Sequence, residues 1–71
     1  MIKWYVYICD KAGTLYTGIT TDLKHRMSQH EAHLLYREEY DSKEEAAKRE
    51  KTIKGWNRGR KIELIKGKSR L

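Results

Sequence analysis

Apolar and polar residues alternate from Ile2 to Asp10. Ile2, Trp4, Val6 and Ile8 fall on one side, and Lys3, Tyr5, Tyr7 and Cys9 on the other. A period of two filled with β-branched and aromatic residues predicts a strand. Large side chains on both sides predict that it is central in its sheet. Lys11-Ala12-Gly13-Thr14 predicts a turn, with Gly13 free to take positive φ. Leu15 to Ile19 then returns as a second strand, making a hairpin. The period changes after Thr20-Thr21-Asp22, which offers caps for a short helix to about Glu31 with Leu23 and Met27 on its apolar side. Leu34 to Tyr40 alternates again, with Leu34, Tyr36, Glu38 and Tyr40 sharing one side. Ser42-Lys43-Glu44-Glu45 is a capping box for a second helix ending at Gly55. Trp56 is expected to dock on the core. Asn57 is expected to cap a last helix through Ile65 that stops at Gly67, leaving Lys68 to Leu71 frayed. The pattern predicts an α+β fold in the order β-β-α-β-α-α, with a small three-stranded antiparallel sheet flanked by helices. No repeat or linker divides the chain, so residues 1–71 are expected to form one domain.

A chain of 71 residues leaves no room for a large substrate cavity, since about 60% of the unfolded surface is all that such a chain buries. The absence of phenylalanine leaves tyrosine and tryptophan to supply the large core side chains. Their polar atoms must then find partners. Cys9 is the single cysteine, which excludes an internal disulfide and fits a buried strand residue in a reducing compartment. Met1 to Tyr7 reads as a strand and not as a signal peptide, and no apolar run reaches the roughly 18 residues of a membrane span. A cytoplasmic location is the expectation. Three histidines and one strand cysteine lack zinc-ligand spacing.

Charge changes the picture. Residues 1–42 carry five Lys/Arg against six Asp/Glu, whereas residues 43–71 carry eleven against four. A positive field concentrated in one half favours a polyanion, and nucleic-acid phosphates are the obvious one. Lys48, Arg49, Lys51, Lys54, Arg58, Arg60 and Lys61 are the candidate phosphate contacts, with no base reading implied.

Glu50 is the residue that most needs a reason. Ala46, Ala47, Glu50 and Ile53 fall on one helical stripe, and a carboxylate there is costly unless compensated. A bound cation compensates it; a salt bridge to Arg26 or Lys54 is the structural alternative. Upstream stand Tyr7 and Tyr16 on neighbouring strands, and Arg26 and His30 one helical turn apart. A carboxylate, two phenols, a guanidinium and an imidazole are suitable parts for cutting a phosphodiester. That reaction needs an activated water, positive charge on the non-bridging oxygens and help for the departing oxygen. The plain alternatives are that the tyrosines are sheet residues, that Arg26 is solvated and that His30 offsets a helix dipole. Tyr5, Tyr36, Tyr40, His25 and His33 are read that way.

Tyr5-Val6-Tyr7 followed by Tyr16-Thr17-Gly18 resembles the two-part signature of the GIY-YIG nucleases. The stretch from Leu15 to Leu23 with Arg26 and His30, and the segment Arg49 to Trp56, resemble the small stand-alone bacterial members. Those members are similar in type to the N-terminal nuclease domain of the bacterial excision-repair machinery. The resemblance implies endonuclease chemistry on DNA, branched or damaged DNA included, with one divalent ion, Mg²⁺ or Mn²⁺. It implies that Tyr7 orients or deprotonates the attacking water and that Tyr16 contacts the scissile phosphate or shares that task. Arg26 neutralises phosphate charge, His30 assists proton transfer or phosphate contact, and Glu50 ligates the metal. Gly18 keeps the sheet surface clear for the substrate backbone. A second reading, from another class, is a nucleic-acid-binding module of the same fold that cuts slowly or not at all.

The chain departs from this family in one stretch. Only Glu31-Ala32-His33 joins His30 to Leu34, where relatives carry a longer basic, glycine-containing segment. Either the first helix ends early or the third strand pairs with another copy of the chain, as a domain-swapped dimer in place of the expected monomer. The downstream asparagine that supports the site in relatives has no evident counterpart, Asn57 being the sole asparagine.

Overall fold

A computed structural model describes residues 2–69. Its elements run β1 (Trp4–Lys11), β2 (Thr14–Thr20), α1 (Leu23–His30), β3 (His33–Tyr40), α2 (Lys43–Lys54) and α3 (Arg58–Ser69). The three strands form one antiparallel sheet in the order β2-β1-β3. The expected fold class, element order and central first strand all hold. Among the described residues, no helix is long and apolar enough to cross a membrane.

The hairpin is a two-residue loop, because Lys11 pairs with Thr14. Both loop residues have positive φ, Ala12 at 52° and Gly13 at 84°, as the right-handed twist of a tight hairpin demands. The Gly13 N–H also donates to Asp10 Oδ1 at 3.0 Å. The helix caps act as expected. Asp22 accepts from the His25 N–H at 3.1 Å, Ser42 Oγ from the Glu45 N–H at 3.2 Å, and Asn57 Oδ1 from the Arg60 N–H at 2.8 Å.

Three expectations are corrected. Gly55 ends α2 without left-handed backbone, at φ −75°; Gly55 and Trp56 instead donate to carbonyls three residues back, Thr52 O and Ile53 O, a tightened last turn. Helix α3 runs through Gly67 to Ser69, and Arg70 and Leu71, expected to fray, lie outside the described residues. Leu34 does not share the Tyr36 face. Tyr36 pairs with Ile8 and Leu34 with Cys9, so Leu35 is the extra residue of a bulge and the face switches there. Leu34 and Leu35 are left 40% and 41% exposed.

The core lies on one face of the sheet. Val6, Ile8 and Tyr36 meet Ala46 and Ile53 of α2, with Trp4, Leu15, Ile19, Tyr40, Trp56, Leu64 and Ile65 packed around them. Tyr7 and Cys9 on the opposite face are buried as well, so β1 is covered on both sides.

The short link between α1 and β3 needs neither an early helix end nor strand exchange. Helix α1 persists to His30, Glu31 takes the left-handed conformation at φ 50°, and β3 pairs with β1 of the same chain. The Ala32 N–H donates to Met27 O at 3.1 Å and the Glu31 N–H to Ser28 O at 3.3 Å, the bond pair of a Schellman cap. Glycine usually takes this position, and a left-handed non-glycine residue costs about 1–2 kcal/mol. Glycine in its place gives back roughly 0.5–1 kcal/mol as unfolded-state entropy. Glu31→Gly is therefore expected to stabilise the chain modestly, raising the melting temperature by about 2–8 °C. A thermal melt showing a lower value would mean that the Glu31 side chain stabilises the link.

Candidate active site

The hairpin register sets the first half of the site. Tyr7 pairs with Gly18 and Cys9 with Tyr16, which places Tyr7, Cys9 and Tyr16 on the face away from the main core. Tyr7 is 8% exposed and Tyr16 is 51% exposed, so the two phenols differ sharply in access to solvent. The Tyr7 ring lies across Gly18. A Cβ there would come within 2.5 Å of the Tyr7 hydroxyl and 2.7 Å of its Cζ, well inside contact distance. The space above Gly18, expected to be left for a substrate backbone, is thus filled by the phenol.

The second half comes from two helices. Arg26 is half-buried on α1 and Glu50 half-buried on α2. Both act on the Tyr7 hydroxyl. Burial pushes its pKa up most, Arg26 pulls it down, Cys9 and Glu50 push it up, and the net shift is upward. Tyr7 therefore stays a neutral phenol well past neutral pH. The Glu50 side chain is 23% exposed and stands 3.8 Å from Lys54 Nζ, an ion pair too long for a good hydrogen bond. Of the two structural partners considered for Glu50, Lys54 is the one it meets.

A groove of about 260 Å³ opens beside the tyrosines, lined by Tyr7, Cys9, Lys11, Tyr16, Thr17, His30 and Ala32. His30 thus borders the phenols, whereas Arg26 and Glu50 lie outside the groove lining. Among the described residues, no three His, Cys, Asp or Glu side chains form a metal-binding cluster.

The expected phosphate contacts separate into two groups. Lys48 and Lys51 are exposed on α2, and Lys61 is half-buried on α3. Arg49 is not a free phosphate contact. Its Nε and Nη2 donate to the two Glu38 carboxylate oxygens at 2.9 and 3.1 Å, and its guanidinium lies 5.3 Å from the Trp56 ring centre. Arg60 covers the same ring at 4.4 Å, and Arg58 Nη1 donates to Gly13 O at 3.3 Å.

The GIY-YIG catalytic domain family model matches residues 3–35, the stretch holding both tyrosines, Arg26 and His30. A UPF0213 protein of Staphylococcus saprophyticus is 38% identical, over 92% of this chain and 96% of its own length. The chain belongs to the UPF0213 family. A second UPF0213 relative, from Desulfotalea psychrophila, is 40% identical over 89% of this chain and 71% of its own. The solution NMR structure of the UPF0213 protein from Bacillus halodurans superposes with a TM-score of 0.66 at 32% identity, covering 92% of this chain and 84% of that one. The Staphylococcus saprophyticus alignment spans 79 positions, more than this chain's 71 residues, so that UPF0213 protein carries residues with no counterpart here. The GIY-YIG match covers less than half of this UPF0213 chain, and Glu50 lies beyond it.

Sequence reasoning missed the cluster around Glu38. The Tyr40 hydroxyl donates to Glu38 Oε1 at 2.6 Å, and the Tyr36 hydroxyl donates to Oε2. With Arg49, they give a carboxylate on the core face two charged and two neutral donors. The available signal was a glutamate on the inward side of an alternating strand with tyrosines two residues away on either side. Burial raises the Glu38 pKa, but Arg49, Tyr36 and Tyr40 outweigh it and the net shift is downward. Tyr36 and Tyr40 are pushed up to about 12 by burial and by the Glu38 carboxylate. The signs differ on the two sides of neutrality. Glu38 stabilises the fold above its unfolded pKa of about 4.3 and loses that contribution as pH falls through its lower folded value. The tyrosines stabilise below their unfolded pKa of about 10 and lose that contribution as pH rises toward about 12. In melts across pH, Glu38→Gln should lower the plateau and flatten both limbs. Limbs as steep as those of the wild type would remove this cluster as their cause.

Proposed function

We propose that this chain is a divalent-metal-dependent endonuclease that hydrolyses DNA phosphodiester bonds with one metal ion. One observation carries the reading: the buried Tyr7 phenol lines a groove with Tyr16 and His30, and from separate helices Arg26 lowers and Glu50 raises its pKa. A structural sheet tyrosine needs neither. Glu50 fits a hydrated divalent ion, being half-buried with one long cationic contact. Mg²⁺ or Mn²⁺ held there supplies positive charge to the phosphate's non-bridging oxygens.

The chain's own residues then divide the work. Tyr7, neutral at physiological pH, orients the attacking water through its hydroxyl. Its deprotonation needs more positive field than Arg26 alone provides, since burial wins in the free chain. Arg26 opposes the charge that builds as the water oxygen bonds to phosphorus. The exposed Tyr16 contacts the phosphate, and His30, at the same groove, accepts or relays the proton that the water loses. The bond to the departing sugar oxygen breaks as the new one forms, and that oxygen takes up a proton from solvent. Lys48 and Lys51 hold the backbone through phosphate contacts.

Incubation with plain, nicked and branched DNA in Mg²⁺ or Mn²⁺ tests the assignment. Glu50→Ala should cut at least about 100-fold more slowly while still binding DNA, because transition-state charge stabilisation is lost. Tyr7→Phe should do the same with little change in melting temperature. Binding without cutting on every substrate, in the wild type as in the variants, would favour the binding module of the same fold. A second outcome concerns the basic surface. Lys48→Ala should reduce the dependence of log affinity on log salt by about one unit, as loss of one phosphate contact predicts. An unchanged slope would take α2 out of the interface.

A further inference from the structure

The groove beside the tyrosines extends past the reacting centre. Tyr7, Tyr16 and His30 form one part of its lining, and Cys9, Lys11 and Ala32 continue it toward the hairpin end. Its volume of about 260 Å³ lies just below the usual range of small-molecule pockets, about 300–1,000 Å³. It has room for one base and sugar and none for a base pair. The chemistry of the lining is equally specific. Tyr16 is 51% exposed, so its ring offers a face on which a base can stack. Lys11 is exposed and supplies a cation for the phosphate that follows. Cys9 and Ala32 give an apolar floor. No carboxylate is among the lining residues, and the nearest in sequence to Lys11, Asp10, accepts from the Gly13 N–H.

We infer that this groove receives one unpaired nucleotide adjacent to the bond that is cut, so that the substrate class is DNA with single-stranded character at the cutting position. The inference rests on the nuclease reading for where the cut lies, and on the groove itself for what is bound. A base stacked in a duplex must leave its neighbours to enter, and that costs free energy. A base beside a flap, gap or branch has already left them.

The test is done on the intact chain without divalent metal, in EDTA. Amide resonances are followed while a single-stranded oligodeoxythymidylate, or a blunt duplex of equal length, is added. The single strand is expected to shift Cys9, Lys11 and Ala32, and the duplex to shift α2 and α3 while sparing these three. Ala32→Trp, which fills the groove, and Lys11→Ala should each weaken single-strand binding by about tenfold, the loss of one stacked or anchored base, and change duplex binding by less than about twofold. Single-strand shifts that bypass the three residues would overturn the inference, as would equal losses on both DNAs. If a variant fails to fold in a melt, the wild-type shift map decides alone. Metal-free binding keeps the two proposals apart. A wild type that binds single strands in the groove but never cuts overturns only the nuclease reading, and duplex cutting unaffected by Ala32→Trp overturns only the groove.

Discussion

The rest of the structure depends on the bidentate bond between Glu38 and Arg49. It joins the edge strand β3 to α2, the helix whose next residue is Glu50. A carboxylate on a core face costs free energy unless its oxygens are occupied. Here each oxygen takes one guanidinium donor and one tyrosine hydroxyl. The guanidinium is in turn held against Trp56, whose ring also carries Arg60. One polar cluster thus fixes the rotation of α2, the position of the loop after it and the start of α3. In a chain with no phenylalanine, tyrosines and tryptophans supply the large aromatic side chains in and around a mainly aliphatic core, and this cluster provides for the tyrosines' polar atoms while using their area.

Fixing α2 in this way decides what Glu50 can do. Arg49 and Glu50 are neighbours on a helix and so point about 100° apart. With Arg49 drawn to Glu38, Glu50 is turned to another side, where its charge reaches the Tyr7 hydroxyl. Tyr7 is held from the opposite direction by the absence of a side chain at Gly18. The phenol is therefore placed by packing and the carboxylate by an ion pair, and neither depends on the other for its position. That independence is what the proposed cation and phosphate would require, since each would meet a group already in place.

The parts of this fold that a sequence displays are those set by near neighbours. The alternation through Val6, Tyr7 and Ile8, the turn at Gly13, the Asp22 and Ser42 caps and the apolar stripe of α2 all concern residues within about one turn or one hairpin of each other. Tyr7, Tyr16, Arg26 and His30 were legible as candidates because the signature that holds them is local. What stayed hidden involves partners distant in the chain or a break in the periodicity. Glu38 and Arg49 are eleven residues apart, on different elements, and nothing short-range pairs them. The bulge at Leu35 moves Leu34 to the other face without any glycine to mark it. Gly18 was visible as a glycine needing a reason, but the ring that gives the reason comes from the neighbouring strand. The end of α2 was placed correctly at Gly55 for a mechanism that the backbone does not use.

Charge density along a sequence overstates charge available to a partner. The half of the chain from Lys43 onward is rich in cations, yet Arg49 serves Glu38, Arg60 serves Trp56, Lys54 stands by Glu50 and Arg58 ties α3 to the hairpin. Lys48 and Lys51, both exposed on α2, remain as outward cations next to Glu50, the carboxylate assigned to the metal in the proposed reaction. A nucleic-acid backbone drawn to the overall field would thus meet few fixed phosphate contacts on this helix. For the proposed DNA substrate, directional grip would come from elsewhere, and the groove with Lys11, Tyr16 and His30 is a concave feature on the tyrosine face that could supply it. The short link at Glu31-Ala32 points the same way. By bringing β3 back within two residues of α1, it sets Ala32 in the lining of that groove, on backbone fixed by the Schellman cap.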